Sequence, residues 1–327
     1  MNRGLLLLLL FLFCLGSVVL GLFSGGMPIP FEEVIAALLH PAGEGTTHTL
    51  IWDLRLPRIF MAGVVGASLA TCGVVFQAIL RNPLAEPYTL GVSGGGALGA
   101  TIAILFGIGG LAMTLICFAG CCLSIGVVLG AAHMKNFTNS MLILSGIIMS
   151  FIFSSAVMFV FTVASSREVH ASILWLMGSL SAPPDGSTGM LLGIVPVMAG
   201  LIFFAKDLNL LSLGDETSYH LGLNAKKAKV LLLLSASLIT GVCVALSGVI
   251  AFVGLVIPHF TRRLFSADHF FLLPSSMLAG AGFLILSDSL SQILIRPMEL
   301  PVGVITGMVG GIFFVLYLIK ARPEEVI

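Results

Sequence analysis

Few residues in this sequence have side chains that could do chemistry, and one of them lies where a charge is costly. Asp288 is an acidic residue deep inside an apolar segment, residues 272–295. A carboxylate in such a place usually serves an ion or proton pathway, or is paired within a helix bundle. We favour a structural, paired carboxylate for Asp288, and a proton site of an ion-coupled carrier is the alternative.

Common catalytic and metal-binding motifs are absent from the sequence. It contains no GxxxxGK[ST] phosphate loop, no HExxH and no GxSxG. All six cysteines lie in apolar runs and none belongs to a CxxC pair, which argues against disulfides and a zinc site. We therefore expect a chain that is not an enzyme and that itself binds neither a metal nor a cofactor.

The composition predicts that membrane helices position these residues. The chain is 58% hydrophobic and 9% charged, whereas a soluble domain is roughly a quarter charged. We predict an all-α polytopic membrane protein, a single transmembrane domain over residues 1–327 with about ten spanning helices of about 20 residues each. The predicted crossings are 5–23, 59–80, 91–108, 111–132, 140–164, 190–204, 230–246, 249–260, 272–295 and 302–319.

The first of these runs, residues 5–23, follows Arg3 and therefore has some features of a secretory signal peptide. It is longer than the apolar core of a usual signal, and no small-x-small cleavage site follows it. We expect it to be a retained first helix.

Basic residues are sorted by face when the N-terminus is placed inside. Eleven would be cytoplasmic, and they are Arg3, Arg81, Lys135, Lys206, Lys226, Lys227, Lys229, Arg262, Arg263, Lys320 and Arg322. Four would be outside, and they are Arg55, Arg58, Arg167 and Arg296. Because cytoplasmic loops of membrane proteins carry the excess of Lys and Arg, this bias places both termini in the cytoplasm. The net charge of zero gives no indication of a nucleic-acid partner.

Two segments interrupt the alternation of helix and short loop. Residues 31–39 form a short amphipathic stretch expected to lie along the outer interface. Residues 206–229 form the longest polar loop on the predicted cytoplasmic side.

Four segments share a pattern with a known family, in the same order. They are WDLRLPRIFMAGVVGASLATCGVVFQAILRNPLAEPYTLGVSGGGALGA at 52–100, LGDETSYHLGL at 213–223, SGVIAFVGLVIPHFTRRL at 247–264 and ELPVGVITGMVGG at 299–311. Together they resemble the signature of the FecCD-type permeases for iron chelates and cobalamin, and the resemblance covers about residues 52–320.

This resemblance implies the architecture of a type II ABC importer permease in the inner membrane. It implies a homodimer of two permease copies, surrounded by lipid, with two cytoplasmic ATPases that use ATP and Mg and an extracytoplasmic binding protein that delivers the cargo. The cargo would be a metal chelate, such as a ferric siderophore, haem or cobalamin, with an iron chelate favoured because such importers are common.

The outer arginines are assigned to docking by the same resemblance. Arg55 and Arg58 would meet carboxylates of the binding protein, although anchoring at the membrane interface is the alternative. A third docking arginine of cobalamin permeases is replaced here by Gln292. Arg296 lies four residues further on, one turn along the same helical face, and we expect it to substitute because i and i+4 side chains point together.

Coupling and gating residues follow from the resemblance as well. The segment at 213–223 would form helices that fit a groove of the ATPase, and its candidate residues are Leu213, Gly214, Asp215, Glu216, Leu221 and Gly222. Acidic residues in a first turn suit a helix N-terminus. The candidate residues of a cytoplasmic gate are Asn82, Leu84, Asn139 and Ser140.

An ion-coupled secondary transporter is the alternative function. It would require several ionisable groups within the membrane, whereas Asp288 is the single acid deep in a predicted crossing. A scaffold without a transport role explains neither the outer arginines nor the coupling-type loop.

Overall fold

Helices make up the regular structure of a computed structural model that describes residues 3–40, 43, 45–134, 137–265, 267–296 and 298–320. Within these residues there are fifteen α-helices and no strand. They are α1 (Arg3–Phe23), α2 (Phe31–Leu39), α3 (Thr46–Thr49), α4 (Leu56–Leu80), α5 (Val92–Leu105), α6 (Gly110–Met134), α7 (Asn139–Val163), α8 (Ser166–Leu176), α9 (Thr188–Gly200), α10 (Ala205–Ser212), α11 (Asp215–His220), α12 (Ala225–Ser247), α13 (Val253–Phe265), α14 (His269–Ile293) and α15 (Val302–Lys320).

Two irregular turns continue helices rather than break them. The π-helical turn Leu50–Arg55 joins α3 to α4, and the 3-10 turn Leu201–Phe204 joins α9 to α10. Helix α2 has the bounds predicted for the amphipathic stretch, and the Trp52 indole N–H donates to the Ala37 carbonyl at 3.0 Å, which holds α2 against the start of the long helix.

Each of the ten predicted crossings contains a helix, and seven helical stretches of the described chain are long and apolar enough to cross a membrane. These are Arg3–Phe23, Thr46–Leu80, Gly110–Met134, Asn139–Val163, Thr188–Ser212, Ala225–Ser247 and His269–Ile293. Helices α5, α13 and α15 correspond to the other three predicted crossings, and by the same measure they are shorter. The basic residues Lys135 and Arg322, used in the charge argument, lie outside the described residues.

Helix α4 is the centre of the core. It is buried on all sides along most of its length and packs mainly against α14, α12 and α13. Glycines permit the close approach: a Cβ on Gly66 or Gly280 would overlap the backbone carbonyl of the other, and Gly95 and Gly120 oppose each other in the same way between α5 and α6. Small residues at helix crossings are the usual solution in lipid, where van der Waals packing drives association.

Helices α5 and α13 are each preceded by buried, non-helical backbone that needs side-chain partners. The Tyr88 hydroxyl donates to the Ile250 carbonyl at 2.9 Å and accepts from the Ile250 N–H at 3.2 Å. The Ser124 hydroxyl donates to the Leu90 carbonyl at 2.9 Å. Unpaired backbone groups at membrane depth are expensive, so these side chains make the two breaks tolerable.

Helix α8 was not among the predicted elements. A capping box begins it, in which the Ser165 hydroxyl accepts from the Glu168 N–H and the Glu168 carboxylate accepts from the Ser165 N–H. The Ser-x-x-Glu spacing that signals this cap is readable in the sequence. The polar loop predicted at 206–229 likewise contains α10, α11 and the first turn of α12.

The Tyr88→Phe variant should be less stable than the wild type. Removing the hydroxyl leaves the Ile250 N–H and carbonyl without a partner in a buried site, at a cost of roughly 1–3 kcal/mol. Thermal unfolding of the detergent-solubilised protein measures the change. Tyr219→Phe is the matched control because Tyr219 is 73% exposed, and equal transitions for the two variants would contradict the assignment.

Candidate functional site

Arg58, in the first turn of α4, forms an ion-pair network with two acids that are far away in sequence. Its Nε lies 2.8 Å from Asp288 Oδ2 and its Nη2 3.0 Å from Asp288 Oδ1, while its Nη1 lies 2.7 Å from Glu299 Oε2. The contact with Asp288 is bidentate, the arrangement in which arginine binds a carboxylate most strongly. We call this region the Arg58 end of the bundle.

Asp288 is fully engaged within that network. Its side chain is 5% exposed, and Gln292 Nε2 donates to its Oδ2 at 2.8 Å. Arginine and amide donors together compensate the burial of the carboxylate. The pairing agrees with the interpretation of Asp288 as a structural carboxylate.

Arg55 is a buried anchor of the chain that follows α1. It is 8% exposed, and its guanidinium donates to the carbonyls of Leu22 at 2.6 Å and Met27 at 2.5 Å. A Cβ on Gly25 would lie 2.9 Å from Arg55 Nη2, so this segment closes over the guanidinium. Arg55 therefore satisfies one carbonyl in the last turn of α1 and one in the segment that follows it.

A cavity of about 480 Å³ at the Arg58 end brings three of the four docking candidates together. Arg55, Arg58 and Gln292 line it, with Asp288 and Glu299. The fourth, Arg296, is exposed and lies beyond α14, which ends at Ile293. The expectation that Gln292 and Arg296 share one helical face is therefore wrong, because the helix stops between them.

The candidate coupling residues form a protrusion at the opposite end. Gly214 and Gly222 flank α11 with φ angles of +111° and +89°, which favour glycine. Asp215 and Glu216 occupy the first turn of α11. Leu213 and Leu221 are 60% and 58% exposed, so apolar surface is available to a partner on both sides of α11.

Lys229, on α12, joins this protrusion to the ends of two other helices. Its Nζ donates to Asp215 Oδ2 at 2.7 Å and to Asn139 Oδ1 at 3.0 Å. Asn139 Nδ2 in turn donates to the Leu80 carbonyl at 3.0 Å. We call this region the Lys229 end. In the sequence, Lys229 counted only as one of the basic residues that orient the chain in the membrane. Nothing in the sequence beside a polar loop indicates that a lysine there is buried.

Two gate candidates line a second cavity, of about 510 Å³, between the α4–α5 connection and α7. These are Asn82 and Leu84, and the Asn82 side-chain oxygen accepts from the Leu84 N–H at 2.9 Å. Asn139 instead binds the end of α4, and Ser140 is exposed beside it at the start of α7.

Glu86 lines the same cavity, and sequence reasoning missed it. Burial raises its pKa above the ordinary value. The signal was available, because Glu86 is the single acid between Asp53 and Glu168 in the sequence. It places one carboxyl group on a cavity wall that otherwise carries apolar, amide, hydroxyl and phenol side chains.

A bundle of apolar helices that pairs its buried charges defines a multi-pass membrane protein. The FecCD transport family matches residues 8–320, and the chain belongs to that family. It is an ABC transporter permease, a non-catalytic subunit of the cell membrane.

Relatives and a solved structure cover nearly the whole chain. The hemin transport system permease protein HmuU of Yersinia pestis is 34% identical over 98% of this chain and 96% of its own. The vitamin B12 import system permease protein BtuC of Yersinia enterocolitica is 36% identical over 86% of this chain and 84% of its own. A structure described as an inward-facing conformation of an ABC transporter assigned to the metal-chelate type superposes with a TM-score of 0.84, at 30% identity over 98% of this chain and 100% of that one.

The Asp288→Asn variant should lose stability, by about 3 kcal/mol, because Arg58, whose side chain is only 18% exposed, would lose its main counter-ion. Glu299→Gln is the matched control: the Glu299 side chain is 47% exposed, and exposed pairs contribute less than about 1 kcal/mol. Thermal unfolding in detergent compares the two variants with the wild type. If Asp288→Asn unfolds no earlier than Glu299→Gln, the Arg58–Asp288 pair does not hold α4 to α14.

Proposed function

We propose that two copies of this chain form the translocation pathway of a binding-protein-dependent importer for a metal chelate. The observation that carries the proposal is that one permease chain of the FecCD family combines a cavity, between α7 and the α4–α5 connection, with an exposed helix, α11. The cavity offers a path for cargo, and the helix offers a contact for an energy-supplying partner.

A bulky, weakly held cargo fits the wall of the second cavity. Its lining includes Leu84, Phe151, Ser150 and Thr89, and Glu86 is the single acidic residue among the lining side chains. Such a surface lacks the ring of like charges or carbonyls that selects a bare ion. The named relatives transport hemin and vitamin B12, so we assign the cargo to the haem, ferric siderophore and cobalamin class.

The proposed topology has ten crossings and both termini in the cytoplasm. Helices α5, α13 and α15 complete the seven long apolar stretches. Eleven basic residues then face the cytoplasm, as the positive-inside rule expects. In this orientation the Lys229 end is cytoplasmic and the Arg58 end is extracytoplasmic.

Partner subunits would act at the two ends. ATPase subunits, which use ATP and Mg, would seat on α11, while this chain binds no cofactor. The binding protein would dock over the cavity at the Arg58 end, where Arg296 is exposed and Arg58 is partly exposed. Because Arg55 is buried against backbone carbonyls, its role in docking would be to shape the surface.

The secondary-transporter alternative has less support. The proton site that the sequence suggested for it, Asp288, already binds Arg58 and Gln292. A proton-binding carboxylate must exchange its partners during transport, whereas this one closes a network between α4 and α14.

Uptake should depend on ATP and not on an ion gradient. The permease, its ATPase and its binding protein, reconstituted in proteoliposomes, should accumulate haem, a ferric siderophore or cobalamin when ATP is inside. Vanadate should abolish that uptake and a protonophore should leave it unchanged. Uptake that persists with vanadate and collapses with the protonophore would overturn the proposal in favour of a secondary transporter.

Reversing the charge of Arg296 should slow binding-protein association. Arg296→Glu changes an exposed side chain, so the fold is retained and the association rate should fall about tenfold at low salt, since such charges act mainly on encounter. Surface plasmon resonance on nanodisc-embedded transporter measures this rate. Arg167→Glu is the matched control, because Arg167 is also an exposed arginine of the proposed outer face and lies on another element, α8. Equal rates for wild type and Arg296→Glu would remove Arg296 from the docking surface.

A further inference from the structure

Lys229 is buried, although it lies only two residues after an exposed lysine near the start of α12. It is 1% exposed, whereas Lys226 and Lys227, earlier on α12, are exposed. Those two lysines suffice to mark a cytoplasmic helix end. A buried ammonium group is costly unless it is paired and hydrogen-bonded, so the side chain is held there by its partners.

Both partners of Lys229 belong to other elements. Asp215, in the first turn of α11, is the carboxylate partner at 2.7 Å, and its side chain is 49% exposed. Asn139, the first residue of α7, is the amide partner at 3.0 Å. One side chain of α12 therefore holds the proposed ATPase-facing helix and the start of a helix that lines the second cavity.

Asn139 extends this connection to α4. Its amide oxygen faces the Lys229 ammonium and its amide nitrogen faces the Leu80 carbonyl, the last residue of α4. A flipped amide would point donor at donor and acceptor at acceptor, so the network fixes its orientation. The Leu80 carbonyl is one of the groups that a helix leaves unpaired at its C-terminus.

A second contact joins α11 to the same end of α4. A Cβ on Gly214 would lie 3.1 Å from Arg81 Nη1, so the Arg81 guanidinium lies directly over Gly214. Arg81 caps α4 with a φ of +49°, and Asn82, which lines the second cavity, comes next. A displacement of α11 would therefore push or pull on the segment after α4 that carries the gate candidates Asn82 and Leu84.

We propose that Lys229 is a positioning residue that transmits movement of α11 to the gate through Asp215, Asn139 and the Leu80 carbonyl. This inference rests on the proposed function, because it needs an ATPase to move α11. Gly214 and Gly222 adopt positive φ angles beside the two ends of α11, and the Asp215 carboxylate ties the helix to α12. Within the described part of the chain, α11 makes a single salt bridge, from Asp215 to Lys229.

The test is the ratio of cargo taken up to ATP hydrolysed in proteoliposomes that contain the full transporter. Lys229→Met should lower the ratio about tenfold while ATPase activity persists, because α11 would move without pulling on the gate. Asp215→Asn should do the same, and the double variant should be no worse than either single variant, since both cut one connection. Lys227→Met is the matched control, with the wild-type ratio expected.

The outcomes separate the inference from the proposed function. A wild type without ATP-dependent uptake contradicts the proposed function, and the inference with it. A wild-type ratio in folded Lys229→Met, or additive losses in the double variant, overturns the inference alone. If Lys229→Met shows no cooperative thermal transition, the Asn139→Ala variant takes its place, because it cuts the same connection at a half-buried residue. A lowered ratio of cargo to ATP in this variant supports the inference, and an unchanged ratio overturns it. A merely structural Lys229 would reduce uptake and ATP hydrolysis together.

Discussion

Every polar group that enters the apolar interior of this protein needs a partner within the protein, and that requirement organises the whole molecule. Helices satisfy it for most of the backbone. Where the chain is non-helical, before α5 and α13, side chains take over, as Tyr88 does for both polar groups of Ile250. Where a charge is buried, it finds polar partners: Arg58 and Gln292 accompany Asp288, and backbone carbonyls accompany Arg55.

The two ends of the bundle solve the same problem in the same way. At one end Arg58, Asp288 and Gln292 form a network, and at the other Lys229, Asp215 and Asn139 form another. In the first network Asp288 and Gln292 both lie on α14 and hold Arg58 of α4, whereas in the second Lys229, Asp215 and Asn139 lie on three different helices. Because a buried charge that loses its opposite partner is costly, each network ties together the helices that contribute to it.

Helix α4 connects both networks. Arg58 lies in its first turn and the Leu80 carbonyl at its last residue, and the helix between them is buried on nearly all sides. A close-packed interior transmits displacement rather than absorbing it. The region proposed to receive the binding protein and the region proposed to receive the ATPase therefore share one rigid element, which is a physical basis for communication between them.

The sequence by itself determined the helical segments, the amphipathic α2 and the family, because apolar runs, helical periodicity and turn residues are local properties. It also indicated that Asp288 would be paired. Only the tertiary structure decided the partners: Arg58 lies 230 positions from Asp288 in sequence, and the distance between Asn139 and Lys229 is 90 positions. It likewise ended α14 before Arg296 and turned Lys229 inward. Which side chains meet depends on how distant helices pack, and no local pattern of residues encodes that packing.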